Sequence, residues 1–151
     1  MKVCIGGTFD VLHKGHKTLI DKALELAGKN GLVFIGIATG ALIKDKKGHR
    51  SEPQRTQAVK EYINTKETKQ HVMIQPIVDI YGPLLTHDFD ILVASPETAP
   101  VAQKINEKRK ILNKKPLKIV QIPFVLAADN QPISSSRIKN GEIDSEGNML
   151  A

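Results

Sequence analysis

Two histidines, His13 and His16, stand three residues apart where a short apolar run gives way to a helical pattern. The stretch reads MKVCIGGTFDVLHKGH, from Met1 to His16. Imidazoles at this spacing lie on one face of a helix, so both can offer a donor to the same anion. Gly6 and Gly7 lack Cβ and tolerate positive φ, which lets the N–H groups of a turn come close to a ligand. A helix starting here would add free N–H groups and the positive end of its dipole. Thr8, Phe9 and Asp10 fill the step between glycines and histidines. The set predicts a phosphate site, whereas glycines that only turn the chain beside surface histidines would need no such order.

The rest of the chain offers partners for the same anion. Lys44 closely follows the end of an apolar run, while Lys46 and Lys47 read as a solvated face and Arg50 as a weaker candidate. Ser95-Pro96-Glu97-Thr98 follows another apolar run. Its hydroxyls fit both plain helix capping and a binding edge. Ser134, Ser135, Ser136 and Arg137 combine hydroxyls, a helix start and a guanidinium fork, a second cradle for phosphate. There is no GxxxxGK loop and no nucleophile elbow. The two histidines lack further ligands at zinc spacing, so no resident metal site is expected. What remains suits phosphoryl-type transfer, which demands positioning and charge neutralisation rather than a covalent side chain.

These residues must be held by strands and helices. Val3–Ile5 reads as a buried strand, and Leu19, Ile20, Ala23, Leu24, Leu26 and Ala27 recur at helical spacing, predicting a helix over 14–27. Leu32–Ala38 is a near-continuous apolar run, the pattern of a strand covered on both faces. Ser51, Pro53 and Gln54 open a second helix through a capping box. Further strands are expected over 71–78, 90–94 and 117–122, with helices after 98 and from the serines. Strands alternating with helices predict one doubly wound α/β domain over 1–151, its strands parallel and its crossovers right-handed. The ligand edge lies at the carboxyl ends of the strands. Residues 142–151 are polar and glycine-containing and are expected to be loosely ordered.

With these motifs placed, the chain resembles the nucleotidyltransferase superfamily with the HxGH motif, through Gly7-Thr8-Phe9-Asp10, His13-x-Gly15-His16 and the ISST-type Ile133-Ser134-Ser135-Ser136. The step Ser95-Pro96-Glu97-Thr98 narrows the resemblance to archaeal-type phosphopantetheine adenylyltransferases. It implies a Rossmann-like sheet of order 3-2-1-4-5 with helices on both faces. It also implies adenylyl transfer from ATP, with Mg²⁺, to 4'-phosphopantetheine in coenzyme A biosynthesis. Under it, Thr8, His16 and Lys44 are the catalytic residues. Gly6, Gly7, Thr8, Phe9, Asp10, His13, His16, Glu97, Ser134, Ser135, Ser136 and Arg137 bind the nucleotide, with Asp10 either bracing its loop or helping to hold Mg²⁺ through water.

Rivals are a flavin mononucleotide adenylyltransferase and a cytidylyltransferase. The second carries Arg-Thr-Glu-Gly where this chain has Ala128-Asp129-Asn130-Gln131. A nucleotide sensor without turnover would not need the full set of donors.

Composition agrees. The 151 residues carry a net charge of +6, which suits an anionic ligand, with 40% hydrophobic and 25% charged residues. Aromatics are only 4%, with no Trp, which argues against base stacking along a nucleic acid. Cys4 sits in the first apolar run as a core residue. No apolar stretch reaches membrane-spanning length and no signal pattern precedes the first strand, so a cytoplasmic enzyme is expected, with no membrane partner.

Overall fold

The computed structural model describes residues 1–43 and 48–150. Five strands, β1 (Lys2–Gly7), β2 (Leu32–Ala38), β3 (His71–Ile77), β4 (Ile91–Ala94) and β5 (Lys118–Gln121), form one sheet in the order β3-β2-β1-β4-β5 with every pairing parallel. The order reverses between β1 and β4, so the β1 and β4 carboxyl ends splay apart into a crevice. Helices α1 (Lys14–Ala27), α2 (Glu52–Asn64) and α3 (Ala99–Ile111), with a short α4 (Ser135–Lys139), connect and flank the sheet.

Alternation along the strands divides the core into two layers. Val3, Ile5, Val33 and Ile35 face α1 and α2, packing on Leu19, Ile20, Ala23 and Val59. Cys4, Phe34 and Leu92 face the other way, against Ala102, Ile105 and Leu84. Burial pushes the Cys4 thiol up to about 12, so it remains an unreactive core group. Helix α2 starts as its sequence predicts, with Ser51 and Gln54 completing a reciprocal capping box. Among the described residues no helix is long and apolar enough to cross a membrane.

The segment beyond α4 departs from expectation. Residues 142–150 fold back on the body: Ile143 is fully buried with Ala127 and Ile133, and it bridges Met149 in an antiparallel pair. Asp144 closes the turn by accepting from the Glu146 and Asn148 amides, both at 2.9 Å. A polar composition hid this, because one isoleucine and an Asx turn suffice to dock a short segment.

Candidate active site

The β1–α1 turn is built differently from the glycine loop its sequence suggests. Gly6 and Gly7 continue β1, and neither has positive φ. What they contribute is the missing side chain: a Cβ on Gly7 would lie 3.3 Å from the Phe9 ring. Phe9 takes the left-handed φ of 51° and is fully buried, 5.2 Å from the His16 ring. An aromatic at positive φ is rare and needs its surroundings to hold it. Phe9 therefore supports His16 from below.

The histidines themselves cap α1. His13 Nδ1 accepts from the amides of Gly15 at 3.0 Å and His16 at 3.4 Å, while His16 Nδ1 accepts from the His13 amide at 3.3 Å. The Lys14 amide donates to Ser145 O at 2.9 Å. All four N–H groups that a helix start leaves open are thus taken. The expectation of free backbone donors fails here, and the reason is the capping box. It leaves something more specific. With both Nδ1 atoms accepting, each neutral ring carries its proton on Nε2. The rings stack with centroids 3.7 Å apart. Burial depresses His13 to about 4, and burial followed by the neighbouring His13 depresses His16 to about 3. At neutral pH the pair is uncharged and donates through Nε2. No acidic residue occupies the first turn of α1, so its positive dipole end is not neutralised.

A cavity of about 510 Å³ opens over this turn, lined by Gly6, Gly7, Thr8, Phe9, Asp10, His13 and His16 on one side and by Ser134, Ser135 and Ser136 on the other. The amino-terminal and carboxyl-terminal motifs thus flank one site. Ser135 joins them directly, its Oγ bonding both the N–H and the C=O of Val11 at 3.3 Å. Ser134 caps α4 through the Arg137 amide. Glu97 also lines the cavity with Ser95 and Thr98, which bond one another to close the step after β4.

Arg137 is the predicted binder that the fold turns away. Its guanidinium pairs with Asp129 and Glu142 and donates to Pro132 O at 3.0 Å, and it does not line the cavity. Lys139 takes the cavity wall instead and pairs with Asp10. Asp10 is 3% exposed and also accepts from the Arg50 amide at 2.8 Å. Burial raises its pKa, but the Lys139 and Arg50 bonds outweigh that and hold it below the usual carboxylate value. Its carboxylate braces the loop. Lys44 lies outside the described residues.

Four residues escaped the sequence pattern. Lys139 and His49 line the cavity, and Phe124 lines it while remaining 49% exposed. Arg55 is 2% exposed and donates to Thr8 O at 2.8 Å, Ala38 O at 2.7 Å and Arg50 O at 3.0 Å, tying the ends of β1 and β2 to the loop before α2.

A second, mostly apolar cavity of about 290 Å³ lies on the α3 side, walled by Phe34, Ile77, Tyr81, Leu84, Val101 and Ile105. It shares Gly6, Gly7, Thr8 and Thr98 with the first.

Residues 4–141 match the model of the cytidylyltransferase-like family. The chain is 44% identical over 149 residues to a phosphopantetheine adenylyltransferase of Methanosarcina acetivorans, covering 98% of this chain and 95% of that protein. It is 45% identical to the phosphopantetheine adenylyltransferase of Methanopyrus kandleri, covering 95% and 90% of the two chains. A crystal structure of a protein of unknown function from Archaeoglobus fulgidus superposes with a TM-score of 0.70 at 40% identity, over 81% of this chain and 89% of that one. With its parallel sheet of reversed order, the paired imidazoles at the switch point and these relatives, the chain belongs to the cytidylyltransferase-like family, among the phosphopantetheine adenylyltransferases.

Proposed function

We propose that this chain transfers the adenylyl group of ATP to 4'-phosphopantetheine, giving dephospho-coenzyme A and pyrophosphate. The observation that carries the reading is the junction of two unlike cavities at Gly7 and Thr8. One is lined by phosphate-type donors and suits a triphosphate. The other is apolar and suits the uncharged arm of the acceptor. A phosphate at their shared edge meets Thr8 with its nucleotide partner alongside.

In the reaction, an acceptor phosphate oxygen attacks the α-phosphorus of ATP in line. The new P–O bond forms as the bond to the bridging oxygen of pyrophosphate breaks. The attacking oxygen is already ionised at neutral pH, so no general base is needed. Thr8 orients the incoming phosphate. His16 donates its Nε2 proton to the α-phosphate or the bridging oxygen, and His13 donates to the β- or γ-phosphate. These donors are fixed before substrate arrives, so their hydrogen bonds strengthen as charge moves onto the leaving group. Lys139 and the serine turn bound the triphosphate end, and Lys44 is assigned to the acceptor phosphate. Ile122, Pro123, Phe124 and Ile133 give the cavity an apolar end for the adenine.

Mg²⁺ enters as part of the nucleotide substrate. Asp10 is committed to Lys139 and Arg50, and no three His, Cys, Asp or Glu side chains converge on a metal site among the described residues. A hydrated ion bridging phosphates is the ordinary form for magnesium.

The test is pyrophosphate release with ATP or CTP, offered in turn with 4'-phosphopantetheine, flavin mononucleotide and glycerol 3-phosphate. Release with ATP and phosphopantetheine alone is the expected result. Turnover of flavin mononucleotide in preference to phosphopantetheine would replace the reading with flavin adenylylation, and binding of ATP without release for any acceptor would make the protein a sensor.

A further inference from the structure

The carboxyl-terminal segment does more than cover a surface. It is anchored on both arms of the phosphate site. On the first, Ser145 O accepts from the Lys14 amide at 2.9 Å, and Glu146 pairs with Lys17 at 3.1 Å. On the second, Gly147 O accepts from the Ala128 amide at 2.9 Å, in the segment that leads to the serine turn. Between these anchors the segment is stiff. Ile143 is fully buried, Asp144 holds three donors of the turn, and Leu150 N returns to Glu142 O at 3.1 Å.

The Lys14 bond has a particular place in the helix start. Three of the four open N–H groups of α1 are closed by the imidazoles themselves, and the fourth is closed by Ser145. It lies between the two histidines in the chain. Two other described ties join the arms, both before the helix start: Val11 to Ser135, through two bonds at 3.3 Å near the long end of the range for hydrogen bonds, and the Asp10–Lys139 ion pair. Loss of the tail would leave the first turn of α1 with an unpaired donor and held to the α4 arm only through Asp10 and Val11, which precede it.

We propose that residues 142–150 form a positioning clasp: by holding the first turn of α1 against the segment before α4, they keep the His13 and His16 imidazoles in the Nε2–H form aimed at the shared cavity. The clasp touches no substrate and acts through the histidines. Its kinetic consequence rests on the adenylyl transfer proposed above, whereas its structural consequence does not.

Two variants test it. One ends the chain at Asp144, which keeps the buried Ile143 and removes the Ser145, Glu146 and Gly147 contacts. The other is Gly147→Ala, which keeps the length. Gly147 sits at φ 84°, which strains any L side chain, and a Cβ there would lie 2.7 Å from Ile133 Cδ1 and 3.0 Å from Ala127 Cα, so Ile133 must swing aside and the turn shift by a few tenths of an ångström. Circular dichroism checks the fold, ¹⁵N NMR of the histidines at pH 7 reads which ring nitrogen holds the proton, and kinetics separates kcat from KM.

The clasp predicts that both variants stay folded and that His13 and His16 exchange between tautomers instead of holding Nε2–H. It also predicts kcat at least about tenfold lower while KM for ATP changes less than about threefold, as expected when donors that serve the transition state are misplaced. Unchanged histidine tautomers in a folded variant would overturn the proposal. So would unfolding of the truncated chain together with wild-type behaviour of Gly147→Ala, which would make the tail a stability element only. If the intact protein transfers no adenylyl group to any acceptor, the proposed function fails, and the tautomer measurement still decides the clasp.

Discussion

Replacing Gly15 with alanine separates stability from activity in a way that few substitutions at this site can. Alanine is favoured over glycine within a helix by about 1 kcal/mol, less in the first turn, so propensity alone predicts a more stable protein. The structure adds a collision: a Cβ at position 15 would stand 2.8 Å from His13 Cε1 and 3.0 Å from His13 Nδ1. Helix α1 cannot retreat, because Ile20 and Ala23 are fully buried beneath it and Leu19 is 6% exposed. The imidazole must swing away, and the swing breaks the bonds from the Gly15 and His16 amides to Nδ1. Losing such a cap costs about 0.5–2 kcal/mol.

The two effects on stability nearly cancel, and the melting temperature should stay within about 5 °C of wild type. Activity has no such compensation. With His13 Nε2–H displaced, kcat should fall by about 10²–10³, the usual cost of losing one preorganised donor. Thermal unfolding and pyrophosphate release, measured on the same preparation, give both numbers. A Gly15→Ala protein with a normal melting temperature and kcat within about threefold of wild type would refute the link between the glycine, the cap and the donor.

His16→Ala should lower kcat by about 10²–10³ while unfolding remains cooperative, and near-normal turnover would remove His16 from the mechanism. The histidines should also make stability depend on pH. Their folded values of about 4 and 3 lie below the ordinary 6.5, so the unfolded chain binds protons first. Their contribution is complete above about pH 6.5 and is lost as pH falls toward 4 and then 3. For His13, 7% exposed, the displacement corresponds to about 3 kcal/mol. Urea midpoints should drop between pH 6.5 and 4.5, with a shallower drop in a His13→Gln, His16→Gln variant, and identical slopes in the two proteins would contradict the assignment. Phe124→Ala should raise KM for ATP roughly 5- to 100-fold through lost base stacking, with little change in kcat. Phe124→Trp would introduce the only tryptophan, since the sequence has none. Its fluorescence should respond to ATP and not to tripolyphosphate, and a response to both would place the base elsewhere.

The sheet and its helices were legible because strand and helix periods are local. Residues 32–38 read as buried on both faces from seven letters, and Ser51 with Gln54 announced α2 from four. The cavity wall was legible where it, too, is local, in the step from Gly6 to His16, although the cap that closes the amides there was not. It was misread where a choice depended on facing. Arg137 lies next to Ser136, and a guanidinium is the stronger phosphate ligand on chemistry alone. Yet on a helix, residues two apart point away from one another, and residues four apart share a face. Ser135 faces Val11, so Lys139 belongs on that side and Arg137 on the other. That inference was available once Ser135 was assigned to the cavity. Phe124, His49 and Arg55 had no such route, since each reaches the site through contacts far along the chain. The tail escaped for the same reason, because Ile143 finds its partners on the segment before α4.

The charge inventory explains why the imidazoles are neutral. A triphosphate and an acceptor phosphate bring heavy negative charge to one crevice, yet the one Lys or Arg among the described residues that line the cavity, Lys139, is paired with Asp10. Fixed positive charge on His13 and His16 would bind substrate and pyrophosphate alike, and binding both equally tightly slows release without lowering the barrier. Neutral Nε2–H donors respond instead to where charge accumulates, and it accumulates on the bridging oxygen as its bond breaks. The capping box enforces that form. A second proton would have to sit on Nδ1, where it would face the amide hydrogens of Gly15 and His16 on one ring and of His13 on the other. Helix start and proton donor are therefore one arrangement, and the sequence spacing of two histidines around a glycine is what both require.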